Sequence, residues 1–340
     1  MPPLVLPMLV NETSGDPALF LPFSHHRQAY LFDIGDISLL SARNVLKISH
    51  VFVSHTHMDH FIGFDYLLRI ILGRDKTLHL FGPEGFLANV EGKLAGYAWN
   101  LVNNYSNPLV LEVNELGSAY RVKRRLSCQH QFRPVSEDVS QDLASPAILH
   151  QNAAHTVSAV ILDHGLPCLG FALEENYHIN IRKDMLARLG LCAGPWLHEL
   201  KQAVYEGQNP DKMMTLPTSK IKSGKKKFRL GELIEQLAII SKGQKISYIA
   251  DVAYTQSNLA KIRRLAQDSD QLYIEAAFLD ADREHAMQKK HLTAGQAGEI
   301  AGMVNAGRFS LFHFSPRYEG SSEAFYQEAN AAYQAALSGA

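Results

Sequence analysis

The chain has 340 residues, of which 46% are hydrophobic and 20% charged, and its net charge is close to −1. This composition is typical of a soluble globular protein and allows one large domain or two smaller ones. The near-neutral charge excludes a generally basic nucleic-acid-binding surface, so such a role would require a local patch. Three scattered cysteines argue against a disulfide framework, and no segment reads as a signal peptide or membrane span, so we expect a cytoplasmic protein.

Short β-branched or aromatic runs alternate along the chain with amphipathic segments, and this order predicts a layered α/β protein. After a first strand within residues 1–10, the predicted strands are Tyr30–Ile34, Val51–Ser54, Leu78–Phe81, Leu109–Val113, Val157–Leu162, Ile246–Ala250, Gln271–Ile274 and Phe309–His313. The predicted helices are Phe61–Leu72, Glu84–Asn103, Arg182–Leu189, Leu197–Tyr205, Gly231–Ile239, Ser257–Ala266, Thr293–Asn305 and Ser322–Leu337. The lysine-rich segment 220–229 lacks apolar periodicity, which predicts an exposed hairpin or loop.

The segment between the strand Val51–Ser54 and the following helix carries a dense polar cluster. It contains His55, His57, Asp59 and His60 on what should be a single turn. Neutral imidazoles and a carboxylate crowded in this way suit Zn²⁺ or a similar divalent ion. The cluster therefore predicts a metal site, which could serve one ion or be shared between two.

Four further polar side chains occur where a predicted apolar strand stops. They are Asp33, His164, Asp251 and His313. Any one of them alone could be a helix cap or a hydrogen-bonded core residue. Together with the first cluster, the last three give seven potential ligands for a two-metal site, in which an aspartate can bridge the ions. Asp33 is expected to orient one of the ligand imidazoles.

The motifs resemble those of a metallo-β-lactamase-fold hydrolase and, within that superfamily, those of ribonuclease Z, the tRNA 3′-processing endonuclease. The matching segments are 54–60, 162–171, 194–201, 249–251, 291–293 and 313–318. They occur in the family's order between about residues 30 and 320. The first motif is shared by the superfamily, whereas the second, third and last are specific to the ribonuclease Z branch.

The resemblance implies a four-layer αββα sandwich, with residues 1–340 as one domain and an arm inserted at residues 175–245. It implies two Zn²⁺ ions as cofactors, with Mn²⁺ or another divalent ion as the alternative. By motif matching, one ion would be held by His55, His57 and His164, the other by Asp59, His60 and His313, and Asp251 would bridge them.

The resemblance also implies catalytic roles. Asp59 would be the general base, and His291 would donate a proton to the leaving oxygen. Glu275 would support His291, because a neighbouring carboxylate keeps an imidazole protonated at neutral pH. Thr293 and Arg317 are candidate phosphate ligands through a hydroxyl and a guanidinium group, although each could instead cap a helix or pair locally.

The implied activity is endonucleolytic removal of the 3′ trailer from tRNA precursors. Lys225, Lys226 and Lys227 would contact RNA phosphates from the arm, although a charge run of this kind can also be a solvated loop. Members of the family form homodimers, and we expect the same here.

Three segments differ from the family's usual pattern and leave a second interpretation open. In residues 274–277, Glu275 is present, but the histidine and threonine of the family's motif are replaced by Ile274 and Ala277. The loop 11–17 is acidic with one glycine, where the family has a glycine-rich loop, and Met58 replaces a small residue in the metal motif. A binuclear-metal hydrolase of a small phosphodiester or another ester would fit these changes. A third interpretation, a binding protein on a degraded hydrolase scaffold, is disfavoured by the complete ligand set.

Overall fold

The computed structural model describes residues 4–24, 27–135, 138–142, 144–218 and 224–338. The strands are β1 Met8–Leu9, β2 Leu19–Pro22, β3 Ala29–Phe32, β4 Ile48–Phe52, β5 Lys76–Pro83, β6 Leu109–Leu116, β7 Tyr120–Ser127, β8 Arg133–Pro134, β9 Val139–Asp142, β10 Ala147–Gln151, β11 His155–Asp163, β12 Pro167–Glu175, β13 Tyr177–Ile181, β14 Met213–Pro217, β15 Lys225–Arg229, β16 Ala238–Lys242, β17 Lys245–Ile249, β18 Gln271–Glu275 and β19 Phe309–Phe312. The helices are α1 Ala42–Val45, α2 Met58–Phe61, α3 Phe64–Ile71, α4 Phe86–Ala95, α5 Lys183–Arg188, α6 Trp196–Tyr205, α7 Leu230–Leu237, α8 Gln256–Ala266, α9 Arg283–Lys289, α10 Ala294–Met303 and α11 Ser322–Ser338. In this part of the chain, no helix is long and apolar enough to cross a membrane.

Two large sheets contain most of the strands. The first runs β1 to β8 in sequence order, with β9 paired to β7, and β3 to β6 are parallel to one another. The second has the order β10-β11-β12-β17-β18-β19, and its last three strands are parallel. Parallel strands present their carboxyl ends along one edge, which is where α/β proteins place their ligands.

The alternation of side chains along the strands builds four layers. Leu31 and Val51 on one face of the first sheet share a buried cluster with Phe64 of α3 and Val90 of α4. On the second sheet, Ile274 packs in a corresponding cluster that includes residues of α8, α10 and α11.

The facing sides of the two sheets are joined by aromatic rings. Phe32 stacks on Phe171 with 5.2 Å between ring centroids and lies 5.8 Å from Tyr248. Because helices cover both outer faces, the predicted αββα sandwich is confirmed.

The chain folds into two compact units. Unit 1 has residues 151–156 and 174–244 as its main part, and unit 2 contains residues 5–150, 157–173 and 245–340. Unit 1 holds α5, α6 and α7, two two-stranded sheets (β13 with β16, β14 with β15) and its own buried cluster around Trp196 and Leu200. It contains nearly all of the segment predicted as an arm, whose status as an insertion in a single domain stays a prediction.

Several element predictions were wrong in detail. The helix predicted over Glu84–Asn103 ends at Ala95, so Trp99 lies beyond it, where its indole N–H donates to the Leu94 carbonyl (2.9 Å). Ile239, predicted as the end of a helix, lies on β16 opposite Asn180. The hairpin predicted at 220–229 is confirmed in its described part, where β15 pairs with β14. Lys220 and Lys222 lie outside the described residues, as do residues 1–3 of the predicted first strand.

Candidate active site

The predicted ligands come together at the carboxyl edge of the sheets in unit 2. The turn after β4 carries His55, His57, Asp59 and His60, and His164 follows β11. Asp251 and His313 lie just beyond β17 and β19. Backbone hydrogen bonds join these turns, because the Leu169 N–H donates to the Ser54 carbonyl (2.8 Å) and the Ala253 N–H to the Asp163 carbonyl (2.9 Å).

The side chains form overlapping groups with the spacing of metal ligands. In each group, one nitrogen or oxygen atom per residue lies within 4.8 Å of the others. The groups are His55, His57, His164 and Asp251; Asp59, His60 and His313; and Asp251, Glu275, His291 and His313. The first two reproduce the two predicted ligand sets, and Asp251 also belongs to the third group together with His313.

Asp251 is the centre of this arrangement. Its carboxylate oxygens lie 3.0 Å from His313 Nδ1, 3.4 Å from His60 Nε2 and 3.5 Å from His164 Nε2. Within the described ranges, four buried atoms of the cluster have no hydrogen bond: His55 Nε2, His60 Nε2, His313 Nδ1 and Asp251 Oδ1. Buried polar atoms that make no hydrogen bond are rare because they cost free energy, so a divalent cation held by these donors fits the residues present.

The outer ring nitrogens of two ligands are fixed by hydrogen bonds. His60 Nδ1 donates to the Asp33 carboxylate (2.9 Å), and His164 Nδ1 donates to the Lys290 carbonyl (2.9 Å). With Nδ1 protonated, the Nε2 lone pair of each ring is available to a metal. Asp33 therefore has the orienting contact expected from the sequence.

Close backbone packing holds the Asp33 turn against the first cluster. Asp33 has φ of +56°, and the Ile34 N–H donates to the His60 carbonyl (3.0 Å). A Cβ atom at Gly35 would lie 2.4 Å from the Asp59 carbonyl oxygen, so this approach requires glycine.

The carboxylates set the protonation of the surrounding groups. Burial by itself would lower the pKa of His60, but the charges of Asp251 and Asp33 raise that pKa to about 10. Burial would raise the pKa of Asp59, but the hydrogen bond from His313 and the charge of His60 lower it to about 2. A bound cation would compete with these protons, since metal ligands must be deprotonated.

His291 lies beside the ligand groups in contact with a buried carboxylate. Its Nδ1 is 3.1 Å and 3.2 Å from the two oxygens of Glu275 and 3.8 Å from Asp251. Burial opposes protonation, yet the Glu275 carboxylate raises the pKa of His291 above its ordinary value. Glu275 is itself fixed by the N–H groups of Val252 (3.0 Å) and Leu292 (3.2 Å).

The predicted substrate-binding residues do not form one group in the structure. The Thr293 hydroxyl caps α10, accepting from the Gln296 N–H and donating to Asp280, and the residue is fully buried, which does not favour phosphate binding. Arg317 is half exposed, 3.9 Å from Asp282, with its guanidinium over the Phe278 ring. Lys225, Lys226 and Lys227 are exposed on β15 of unit 1. All five assignments stay predictions.

Several residues around the site were missed from the sequence. Tyr248 donates its hydroxyl to Asp33 (2.8 Å) from within β17, and the Lys290 carbonyl holds His164. A tyrosine in a strand predicted to be buried could have signalled this role, because a buried phenol needs a hydrogen-bond partner. A backbone carbonyl leaves no such signal. His285 and Lys289 line a cavity next to His291, and nothing in their local sequence marks them.

Comparisons with known proteins agree with the motifs. No protein-family model matches the chain. The chain is similar to ribonuclease Z of Deinococcus radiodurans, with 29% identity over 308 residues that cover 90% of this chain and 87% of that protein. Ribonuclease Z of Bacillus cereus is 27% identical over 303 residues, covering 87% of this chain and 81% of its own length.

Solved structures show the same fold. The short form of human tRNase Z superposes with a TM-score of 0.52 and 18% identity, covering 92% of this chain and 90% of that one. The metallo-β-lactamase-fold protein YhfI from Bacillus subtilis gives a TM-score of 0.51 and 14% identity, covering 94% of this chain and 86% of that one.

Fold and donor set together define a metal-dependent hydrolase of the metallo-β-lactamase fold. Within this class, the sequence similarity to ribonuclease Z confirms the resemblance indicated by the motifs.

Proposed function

We propose that the chain is a zinc-dependent endoribonuclease that removes the 3′ trailer from tRNA precursors. The observation that carries the proposal is the ligand cluster around Asp251, with the His291–Glu275 pair beside it, in a chain that resembles ribonuclease Z over 90% of its length. A homodimer and a cytoplasmic location belong to the same proposal and stay predictions.

Two zinc ions held by His55, His57, His164, Asp251, Asp59, His60 and His313 would activate water and neutralise charge on the phosphoryl oxygens. The remaining chemistry belongs to side chains. Asp59, about two-fifths exposed, would accept the proton of the attacking water. His291 would donate its proton to the leaving O3′, and Glu275 keeps that proton on the imidazole.

The test is to offer purified protein of known metal content two substrates. One is a tRNA precursor with a 3′ trailer, and the other is bis(p-nitrophenyl) phosphate. We expect cleavage at the trailer that leaves a 3′-hydroxyl on the tRNA and a 5′-phosphate on the trailer. Zinc should be the metal that co-purifies, and mass spectrometry of the metal content distinguishes it from manganese.

Turnover of the small diester without cleavage of the precursor would refute the tRNA substrate and leave the small-diester hydrolase as the better account. The acidic first loop, which stands where the family has a glycine-rich loop, is the basis of that alternative, and its Asp16 lines the cavity beside Asp59. Inertness towards both substrates would refute the hydrolase itself.

A further inference from the structure

A cavity of about 350 Å³ opens beside the catalytic residues in unit 2. His291, Asp59 and His313 are among the residues that line it. Its volume is within the range of small-molecule pockets. The wall also combines apolar and polar groups, among them Phe278, Phe314, Ser14 and Asp16.

The cavity has two chemically different ends. At one end the His291 ring lies 6.1 Å from that of Phe278, which lies 5.1 Å from the His285 ring in an edge-to-face contact. Lys289 also lines the cavity, and it follows His285 by four residues on α9, so the two residues lie on the same face of that helix. At the other end Asp16 faces Asp59, whose charge contributes to the raised pKa of Asp16 after the larger effect of burial.

Lys289 differs from the neighbouring cations. Lys290 lies 3.6 Å from Asp163, Arg283 lies 3.3 Å from Asp280, and Arg317 lies 3.9 Å from Asp282. Among the described residues, no carboxylate lies within ion-pair distance of the Lys289 ammonium. An exposed, uncompensated ammonium at the rim of a catalytic cavity is available to an anionic substrate group.

The direction of the reaction decides which part of the substrate enters this end. Water oxygen bonds to phosphorus, the P–O3′ bond breaks, O3′ takes the proton of His291, and the phosphate stays on the trailer. The nucleoside that leaves with O3′ must therefore lie on the His291 side, next to Phe278, His285 and Lys289.

We propose that this end of the cavity is the subsite for the nucleotide that leaves with O3′, which is the last nucleotide retained on the tRNA. Its base lies against His285, and Lys289 binds the phosphate on its 5′ side. The inference rests on the proposed endonuclease function and adds two specificity residues to it.

The test compares two tRNA precursors that differ in one linkage. The first has the natural phosphate 5′ to the last retained nucleotide, and the second has a neutral methylphosphonate there. Lys289→Gln should lower kcat/KM on the first precursor about tenfold, the effect of one partly exposed charged hydrogen bond. The wild-type enzyme should lose a similar factor on the second precursor, and Lys289→Gln should lose nothing further.

Arg264→Gln is the matched control, because Arg264 is an exposed cation on α8 that does not line the cavity. It should leave both rates unchanged, and Lys289→Gln should leave turnover of bis(p-nitrophenyl) phosphate unchanged. The base contact is tested separately. His285→Ala should lower kcat/KM about fivefold on the natural precursor and should leave it unchanged on a precursor that is abasic at this nucleotide.

The outcomes separate the subsite from the proposed function. If the wild-type enzyme cleaves the precursor but Lys289→Gln is slower than the wild type by the same factor on both linkages, or is as fast as the wild type on both, the subsite alone is overturned. An effect of Lys289→Gln on the small diester also overturns it, since that substrate has no second phosphate. A wild-type enzyme that leaves the precursor intact overturns the endonuclease function and the subsite with it.

Discussion

Asp33 lies outside the predicted ligand set and fixes the orientation of one of its histidines. It is completely buried, and its carboxylate accepts from the Ser54 N–H (2.6 Å), the Ser54 hydroxyl (2.8 Å), the Tyr248 hydroxyl (2.8 Å) and His60 Nδ1 (2.9 Å). Four donors on one carboxylate leave the side chain no alternative orientation. The His60 ring is therefore held with Nε2 towards Asp251.

Asp33→Asn should weaken metal binding without removing a ligand. The amide keeps one acceptor oxygen but presents an NH₂ group to donors, so the bond that orients His60 is lost. We expect metal affinity to fall about 10- to 100-fold, as is usual for such supporting partners. Metal content after dialysis, and activity as a function of added zinc, measure this, and added zinc should restore part of the activity.

Tyr248→Phe is the control for this substitution, because it removes one donor and leaves the Asp33–His60 bond in place. Its loss of metal affinity should be clearly smaller. If Asp33→Asn binds metal as tightly as the wild type, or if both variants lose the same factor, Asp33 does not act through His60.

At this scale the sequence was informative where a polar side chain interrupts an apolar strand. The position of a polar residue at the end of an apolar strand led us to group His164, Asp251 and His313 with the first cluster. Such strand ends can be read from local sequence, and parallel strands meet at one edge of a sheet. Local sequence could not indicate the Lys290 carbonyl, since every residue has one. Thr293 forms the capping box that its spacing to Gln296 allows, and its role as a phosphate ligand stays a prediction.

At the scale of elements, β15 places its lysines on two different faces. Phe228 is buried, and Lys226, two residues before it, has its ammonium 4.9 Å from that ring. Lys225 and Lys227 point to the opposite face of the hairpin, because side chains alternate along a strand. The three lysines are therefore not equivalent as RNA contacts.

Lys227→Gln should weaken binding of the tRNA precursor in a salt-dependent manner. One lost phosphate contact reduces the slope of log KM against log salt concentration by about one. Lys226→Gln should change the slope less, since its ammonium is partly engaged by Phe228. Kinetics over a salt series measure both, and bis(p-nitrophenyl) phosphate should show neither effect. Equal slopes for the two variants and the wild type would mean that β15 does not contact RNA.

The predicted boundaries of helices and strands were wrong where contacts with residues distant in sequence determine them. The apolar spacing of Trp99 and Leu101 continues the period of α4, yet the chain leaves the helix at Gly96 and Trp99 packs on Phe132, 4.6 Å between centroids. The local sequence around Ile239 is compatible with the end of a helix and with a strand. Ile239 forms a strand because it pairs with Asn180 on β13. A single sequence does not contain such partners.

At the scale of the whole molecule, all seven predicted ligands belong to unit 2, although they come from three separate stretches of the chain. The two sheets followed from the order of strands and helices together with the resemblance. The main part of unit 1 nearly coincides with the arm that the resemblance implied, but the pattern of strands and helices alone does not indicate it, because compact units depend on contacts between residues far apart in sequence. Removal of the metal should therefore affect unit 2 and leave unit 1 unchanged.

Chelation should destabilise unit 2 specifically. Ions that bind only the folded chain stabilise it, by about 2.7 kcal/mol at a free concentration one hundred times Kd, so their removal lowers stability by that amount. Without them, four buried atoms of His55, His60, His313 and Asp251 make no hydrogen bond. Hydrogen exchange by mass spectrometry should show faster exchange at the carboxyl ends of β4, β17 and β19 after chelation. The helices α6 and α7 of unit 1 should keep their rates, and added zinc should reverse the change. Unchanged exchange in unit 2, or an equal increase in both units, would mean that these seven residues do not hold the metal that stabilises the fold.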